Sequence, residues 1–167
     1  MKINAKHVNH FVEAAMEVVR WIAGIEVRRG HLSYKAAIEP SFGVSIVIGI
    51  YGFLTGQIVY SLDANLADRL VDKLLVCKSP QQKKILFMDS LVANMITGNA
   101  TDLLNKKYDK VLNVTTPAQP YLSSCCPCPA PVSGLITPAG PIEIGISIEE
   151  KETLSEHEIL ESLLVET

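Results

Sequence analysis

Ile85-Leu86-Phe87-Met88-Asp89-Ser90-Leu91-Val92-Ala93-Asn94-Met95-Ile96-Thr97-Gly98-Asn99-Ala100 carries the most informative pattern in the chain. It sits in a long helical pattern from about Pro80 to Lys107, which Ser79-Pro80 separates from an earlier helix. At about 100° per residue, Ile85, Met88, Val92, Met95, Ile96 and Leu103 fall on one side and are expected to pack on a sheet. Phe87, Leu91, Asn94, Gly98, Asp102 and Asn105 form a second stripe. Gly98 inside a helix costs about 1 kcal/mol against alanine, which points to a close approach there. The plain alternative is a patchy exposed face.

Outward from this helix the chain changes character on both sides. Toward the amino terminus, Val8, Phe11, Val12, Ala15, Val18, Val19 and Ile22 recur at helical steps between Asn4 and Gly24, with Gly24 as a stop signal. Three strands are expected next, at Tyr34 to Glu39, Gly43 to Tyr51 and Gln57 to Leu62, the last two joined through a loop over residues 51–56. A helix from Ala64 to Val76 follows, capped by Asp63, with Leu66, Leu70, Leu74 and Cys77 inward. Beyond the long helix, Val111 to Thr115, Val132 to Ile136 and Ile142 to Ile148 read as strands, with a turn at Pro138-Ala139-Gly140-Pro141. Ser155-Glu156-His157-Glu158 opens a short terminal helix. Helix, three strands, two helices and three strands is no β-α-β alternation. It reads as an α+β, two-layer sandwich with long helices on a mostly antiparallel sheet.

Length and charge narrow the function classes. The 167 residues suit one domain, here residues 1–150, with an acidic helical appendage at 151–167. Residues 149–167 hold seven of the 18 acids and one of the 15 bases, a net of −6. The remainder carries 11 acids against 14 bases, or +3. Without a basic run, nucleic acid and anionic membrane are not expected partners. The apolar stretch Gly43 to Leu54 is too short to span a bilayer, and the first residues lack a secretion signal's apolar core, so a cytoplasmic location is expected. No glycine-rich phosphate loop of either common spacing occurs.

Asn94-Met95-Ile96-Thr97-Gly98-Asn99-Ala100 resembles the helix signature Glu-x-x-Asn-Met-Ile-x-Gly-Asn-Ala of the CheC/CheX chemotaxis phosphatases, and is most similar to CheX-like members. Residues 8–15, 23–27, 49–52, 56–61 and 114–117 agree in order and spacing, so the likeness spans roughly residues 3–149. It implies the two-layer fold of that family and a homodimer. It also implies hydrolysis of the aspartyl phosphate on a CheY-type response regulator. In the family a glutamate pairs with a lysine of the regulator, and the asparagine amide, here Asn94, orients the attacking water. No cofactor of the chain's own is implied, because the regulator supplies Mg²⁺. Such a division suits phosphoryl transfer, which needs placement and charge neutralisation more than covalent chemistry.

The chain departs from the pattern three residues before Asn94, where the glutamate belongs and Leu91 stands. Leucine can neither pair with lysine nor accept a hydrogen bond. Losing one charge-assisted contact removes about 1.5–3 kcal/mol, roughly 10- to 150-fold in rate. Asp102-x-x-Asn105 repeats the acid-amide spacing about 16 Å further along, either as a displaced pair or as a polar helix end before Lys106-Lys107. Two readings of function follow: a phosphatase of a phosphorylated receiver working through Asn94 with weakened docking, or a catalytically inactive CheX-like module that binds a receiver or partner. Phe87, Leu91, Gly98, Asp102 and Asn105 are the candidate interaction face in either.

Other chemistry-bearing residues are less suggestive. Cys125-Cys126-Pro127-Cys128 lacks zinc-ligand spacing and reads as loop thiols, and no metal site is expected. His7, His10, His31 and His157 are scattered without an acid partner at ligand spacing and read as surface or helix-edge residues. Trp21 and Tyr60 read as core or edge residues.

Overall fold

The computed structural model describes residues 5–38, 42–74, 91–118 and 129–150. Phe87 and the first half of the expected long helix lie outside these residues, as do Cys77, the other three cysteines and the acidic appendage.

The described elements run α1 (Ala5–Ala23), β1 (Arg28–Lys35), β2 (Val44–Gly52), β3 (Leu54–Leu62), α2 (Ala64–Leu74), α3 (Leu91–Tyr108), β4 (Leu112–Val114), β5 (Ala130–Thr137) and β6 (Gly140–Glu150). The six strands form one sheet in the order β1-β5-β6-β3-β2-β4, antiparallel at every pairing. The helices cover one face of it, giving the expected two-layer α+β arrangement.

Alternation places the core. Val44, Ile46, Ile48 and Ile50 of β2 turn to the helices together with Ile58 and Tyr60 of β3 and Ile142, Ile144, Ile146 and Ile148 of β6. Phe11, Ala15 and Val19 of α1, Leu66 and Leu70 of α2, and Ile96, Ala100 and Leu104 of α3 meet them. On the opposite face Ile38 packs over Gly145 beside Val59 and Ala130, and the edge beyond β2 is lined by chain as well. A Cβ on Gly49 would meet Thr115 Cγ2 at 2.9 Å, and the segment after β4 continues along β2 through the Val47–Ala118 bridge.

Local signals act as expected at the helix ends. Gly24, at φ 61°, terminates α1 by donating its backbone N–H to Arg20 O at 2.9 Å. Asp63 caps α2, its Oδ1 accepting from Asn65 N at 2.8 Å.

Three expectations are corrected. The first strand lies at Arg28–Lys35, not Tyr34 to Glu39, because it is the sheet's edge strand and its burial lacks a two-residue alternation. The β2–β3 loop is tighter than residues 51–56, with Phe53 alone between the strands. Tyr51 and Gly52 pair with β4, while Leu54 and Thr55 pair with β6, so both ends of the hairpin find other neighbours. His7 is buried rather than at the surface: its Nε2 lies 2.7 Å from Glu150 Oε1 and its ring stands edge-on to Tyr108. It shares the inner face of α1 with Phe11, Ala14 and Val18 at helical spacing.

Candidate functional site

Helix α3 presents its outer face as a ledge between α1 and open solvent. Its buried side is Val92, Ala93, Ile96, Thr97, Ala100, Thr101 and Leu104. Four of these are alanine or threonine, which lets the helix approach its neighbours closely. Leu103, expected on the sheet side, is instead 48% exposed, and Leu104 takes the core position. A reading weighted toward large apolar residues is drawn to Leu103, and the small buried ones carry too little signal to correct it.

Two polar anchors fix the ledge. Tyr60 on β3 and Thr97 on α3 share a buried hydrogen bond of 2.8 Å between their hydroxyls. Burial pushes the Tyr60 phenol well above its ordinary range, partly offset by that bond, so it stays protonated. Near the helix end, Asn105 Oδ1 accepts from Leu112 N at 2.8 Å, and Asn105 Nδ2 donates to Leu112 O at 3.4 Å. Asn105 is therefore occupied in holding the start of β4. Tyr60→Phe leaves the Thr97 hydroxyl without its buried partner and is expected to cost about 1–2 kcal/mol. Thermal unfolding should show the midpoint falling by roughly 2–8 °C.

The remaining candidates share the exposed side. Leu91 is 40% exposed, Asn94 and Asp102 are exposed, and Gly98 is half-buried. Asn94 makes no hydrogen bond within the described residues, so its amide is available to a partner. The close approach expected at Gly98 does not come from the described part of the chain: a Cβ there would find nothing within 4 Å. Asp102 is on the ledge, whereas the amide of its spacing partner Asn105 is turned to backbone. Structure thus brings Leu91, Asn94, Gly98 and Asp102 to one surface.

Two residues here were missed by pattern reading. Glu17 and Trp21 of α1 line a cavity of about 350 Å³ with Val18, Met95 and Asn99. Trp21 is 72% exposed. Their i, i+4 spacing on the polar flank of α1 is visible in the chain, but the packing of α1 beside α3 is not. Among the described residues, no group of three or more histidine, cysteine, aspartate or glutamate side chains is placed to hold a metal. No helix among them is long and apolar enough to cross a membrane.

No family model matches the chain. The CheY-P phosphatase CheX of Thermotoga maritima is 26% identical over 117 residues, covering 69% of this chain and 75% of that protein. The CheX–CheY–BeF₃–Mg²⁺ complex from Borrelia burgdorferi contains a chain 26% identical, with TM-score 0.70 over 89% of this chain and all of the other. The chemotaxis protein CheX from Desulfovibrio desulfuricans shares the fold at TM-score 0.71 and 23% identity, covering 86% of this chain and 99% of its own. Fold and helix signature together define a protein of the CheC/CheX class. Within that class the chain is a CheX-like member of the family.

Proposed function

We propose that this chain acts on a phosphorylated CheY-type receiver and hydrolyses its aspartyl phosphate, with Asn94 as the catalytic residue. The observation that carries the reading is the exposed Asn94 amide, unbonded among the described residues, on a helix pinned by Tyr60 and Asn105. A helix anchored in this way presents the amide at a defined place on the surface, where it can hold a water in line with phosphorus. Mg²⁺ belongs to the receiver, where it neutralises phosphoryl charge. At the position where a carboxylate would assist docking, Leu91 offers an apolar contact instead, so recognition relies on buried surface around Leu91, Gly98 and Asp102. Such a partner places the protein in the cytoplasm.

The test is phosphate release from a phosphorylated receiver of the same genome, with and without the protein. Acceleration that depends on Asn94 supports the reading. A receiver that binds with no acceleration leaves a binding module, and a receiver that neither binds nor reacts removes both.

The same reading includes a homodimer, supported by edge strand β1. Leu32 and Tyr34 on it are 65% and 67% exposed, beside the exposed Ile136 of β5. Exposed apolar residues on a sheet edge suit pairing with a second copy. Leu32→Glu with Tyr34→Glu is expected to convert a dimer to monomer in light scattering after size exclusion. An unchanged mass would place the dimer contact elsewhere or remove it.

A further inference from the structure

The groove between α1 and α3 has the composition of a site for an organic cation. Glu17 brings a carboxylate, Trp21 an exposed indole face, Asn99 an amide and Met95 a thioether, around a cavity of about 350 Å³. The carboxylate has no partner of its own within the described residues. One turn away, Glu13 is already bound to Arg29 Nη2 at 3.1 Å, so the two acids of this helix flank differ in availability. The side chain of Asn99 likewise has no hydrogen bond within the described residues. The groove flanks the ledge on the same helix, with Met95 and Asn99 turned roughly 100–140° around the axis from Asn94, toward α1.

We infer that this groove receives a lysine or arginine side chain of the partner receiver, with Glu17 as counter-charge and Trp21 as the aromatic wall. The inference rests on the proposed action on a receiver and adds to it a contact on α1, the neighbouring helix. A carboxylate beside an indole face attracts an ammonium or guanidinium both by ion pairing and through the negative face of the ring. The groove therefore restores to the docking surface the anionic character that Leu91 withholds. Glu17 and Trp21 act here as positioning residues, because neither reaches the reacting atoms.

Trp21 is the single tryptophan of the chain, so its fluorescence reports on the groove directly. Titrating the full chain with phosphorylated receiver, after subtracting the receiver's own signal, should shift and protect that emission from acrylamide quenching. Glu17→Gln should raise KM for the phosphorylated receiver about two- to fivefold and leave kcat unchanged. Glu17→Lys should raise KM further, and Glu17→Asp should recover part of the loss. Both positions are exposed, so each variant should fold, which circular dichroism checks. Acceleration that still requires Asn94, with Trp21 emission and the Glu17→Gln KM unchanged, overturns the groove assignment and leaves the phosphatase reading standing. A receiver that neither binds nor reacts overturns both.

Discussion

Asn94→Ala should lower the rate of receiver dephosphorylation by roughly 100-fold or more while leaving the fold as stable as before. The size follows from the role: one preorganised polar group aimed at the reacting centre is worth about 10²–10³ in rate when removed. The unchanged stability follows from position. Asn94 is exposed, makes no hydrogen bond within the described residues, and alanine is the better helix former. A drop in kcat with little change in receiver affinity is the expected signature. Leu91→Glu should move activity the other way, by roughly 10- to 150-fold, since it returns a charge-assisted contact one helical turn before Asn94. Phosphate release measured for both variants under single-turnover conditions reads the two effects separately. If Asn94→Ala were as active as the parent, the ledge would not be the catalytic surface.

Gly56→Ala should be the most damaging single-methyl change in the described sheet. Gly56 has φ 150° within β3, between its pairings to Ile50 on β2 and Ile148 on β6. An added Cβ would overlap the Ser147 carbonyl oxygen and press on Ile148 Cα at 2.9 Å. Both obstacles are backbone of β6 and cannot rotate away. Unfavourable φ and overlap together are expected to cost about 3–5 kcal/mol, a fall of roughly 6–20 °C in the unfolding midpoint. Gly98→Ala supplies the contrast. With nothing within 4 Å and a helical backbone, it should gain about 0.5–1 kcal/mol. A stabilised Gly98→Ala that binds receiver less well would show that the space over Gly98 is kept for a partner.

Much of the fold was legible because its signals are local. The apolar face of α1, its Gly24 stop and the Asp63 cap each depend on neighbours within a few residues, and all three act as read. The Val- and Ile-rich strands β2 and β6 announce themselves because one face of each is buried against helices. Strand β1 does not, since its register is imposed by β5 from about a hundred residues away and its own side chains are largely exposed. The face of α3 was half legible. Val92 and Ile96 mark the buried side, but Ala93, Thr97, Ala100 and Thr101 bury without a hydrophobic signature, and Leu103 misleads.

The site divides along the same line. Leu91, Asn94, Gly98 and Asp102 reach one surface because they belong to one helix and helical spacing alone brings them together. Asn105 belongs to the same stripe, yet its amide is claimed by Leu112, a pairing that no spacing rule announces. Glu17 and Trp21 join the surface through contact between two helices, which single-helix projection cannot supply. His7 shows the opposite case: its spacing with Phe11 and Val18 pointed inward, and only its polarity argued against burial.

The sheet order carries a consequence for how the chain is made. Strand β1 closes onto β5 through pairs such as Lys35 with Ala130, while β3 lies against β6 through Tyr60 with Ile144. Only the β2–β3 and β5–β6 hairpins assemble from adjacent strands. A chain emerging from the ribosome therefore holds β1 and one side of β3 unpaired until residues 130–150 have appeared, and loop closure over such separations slows folding. An apolar strand such as β3 waiting that long is exposed to wrong partners. The β5–β6 hairpin, later in the chain than the other described strands, is the element that slots between β1 and β3 and completes the sheet.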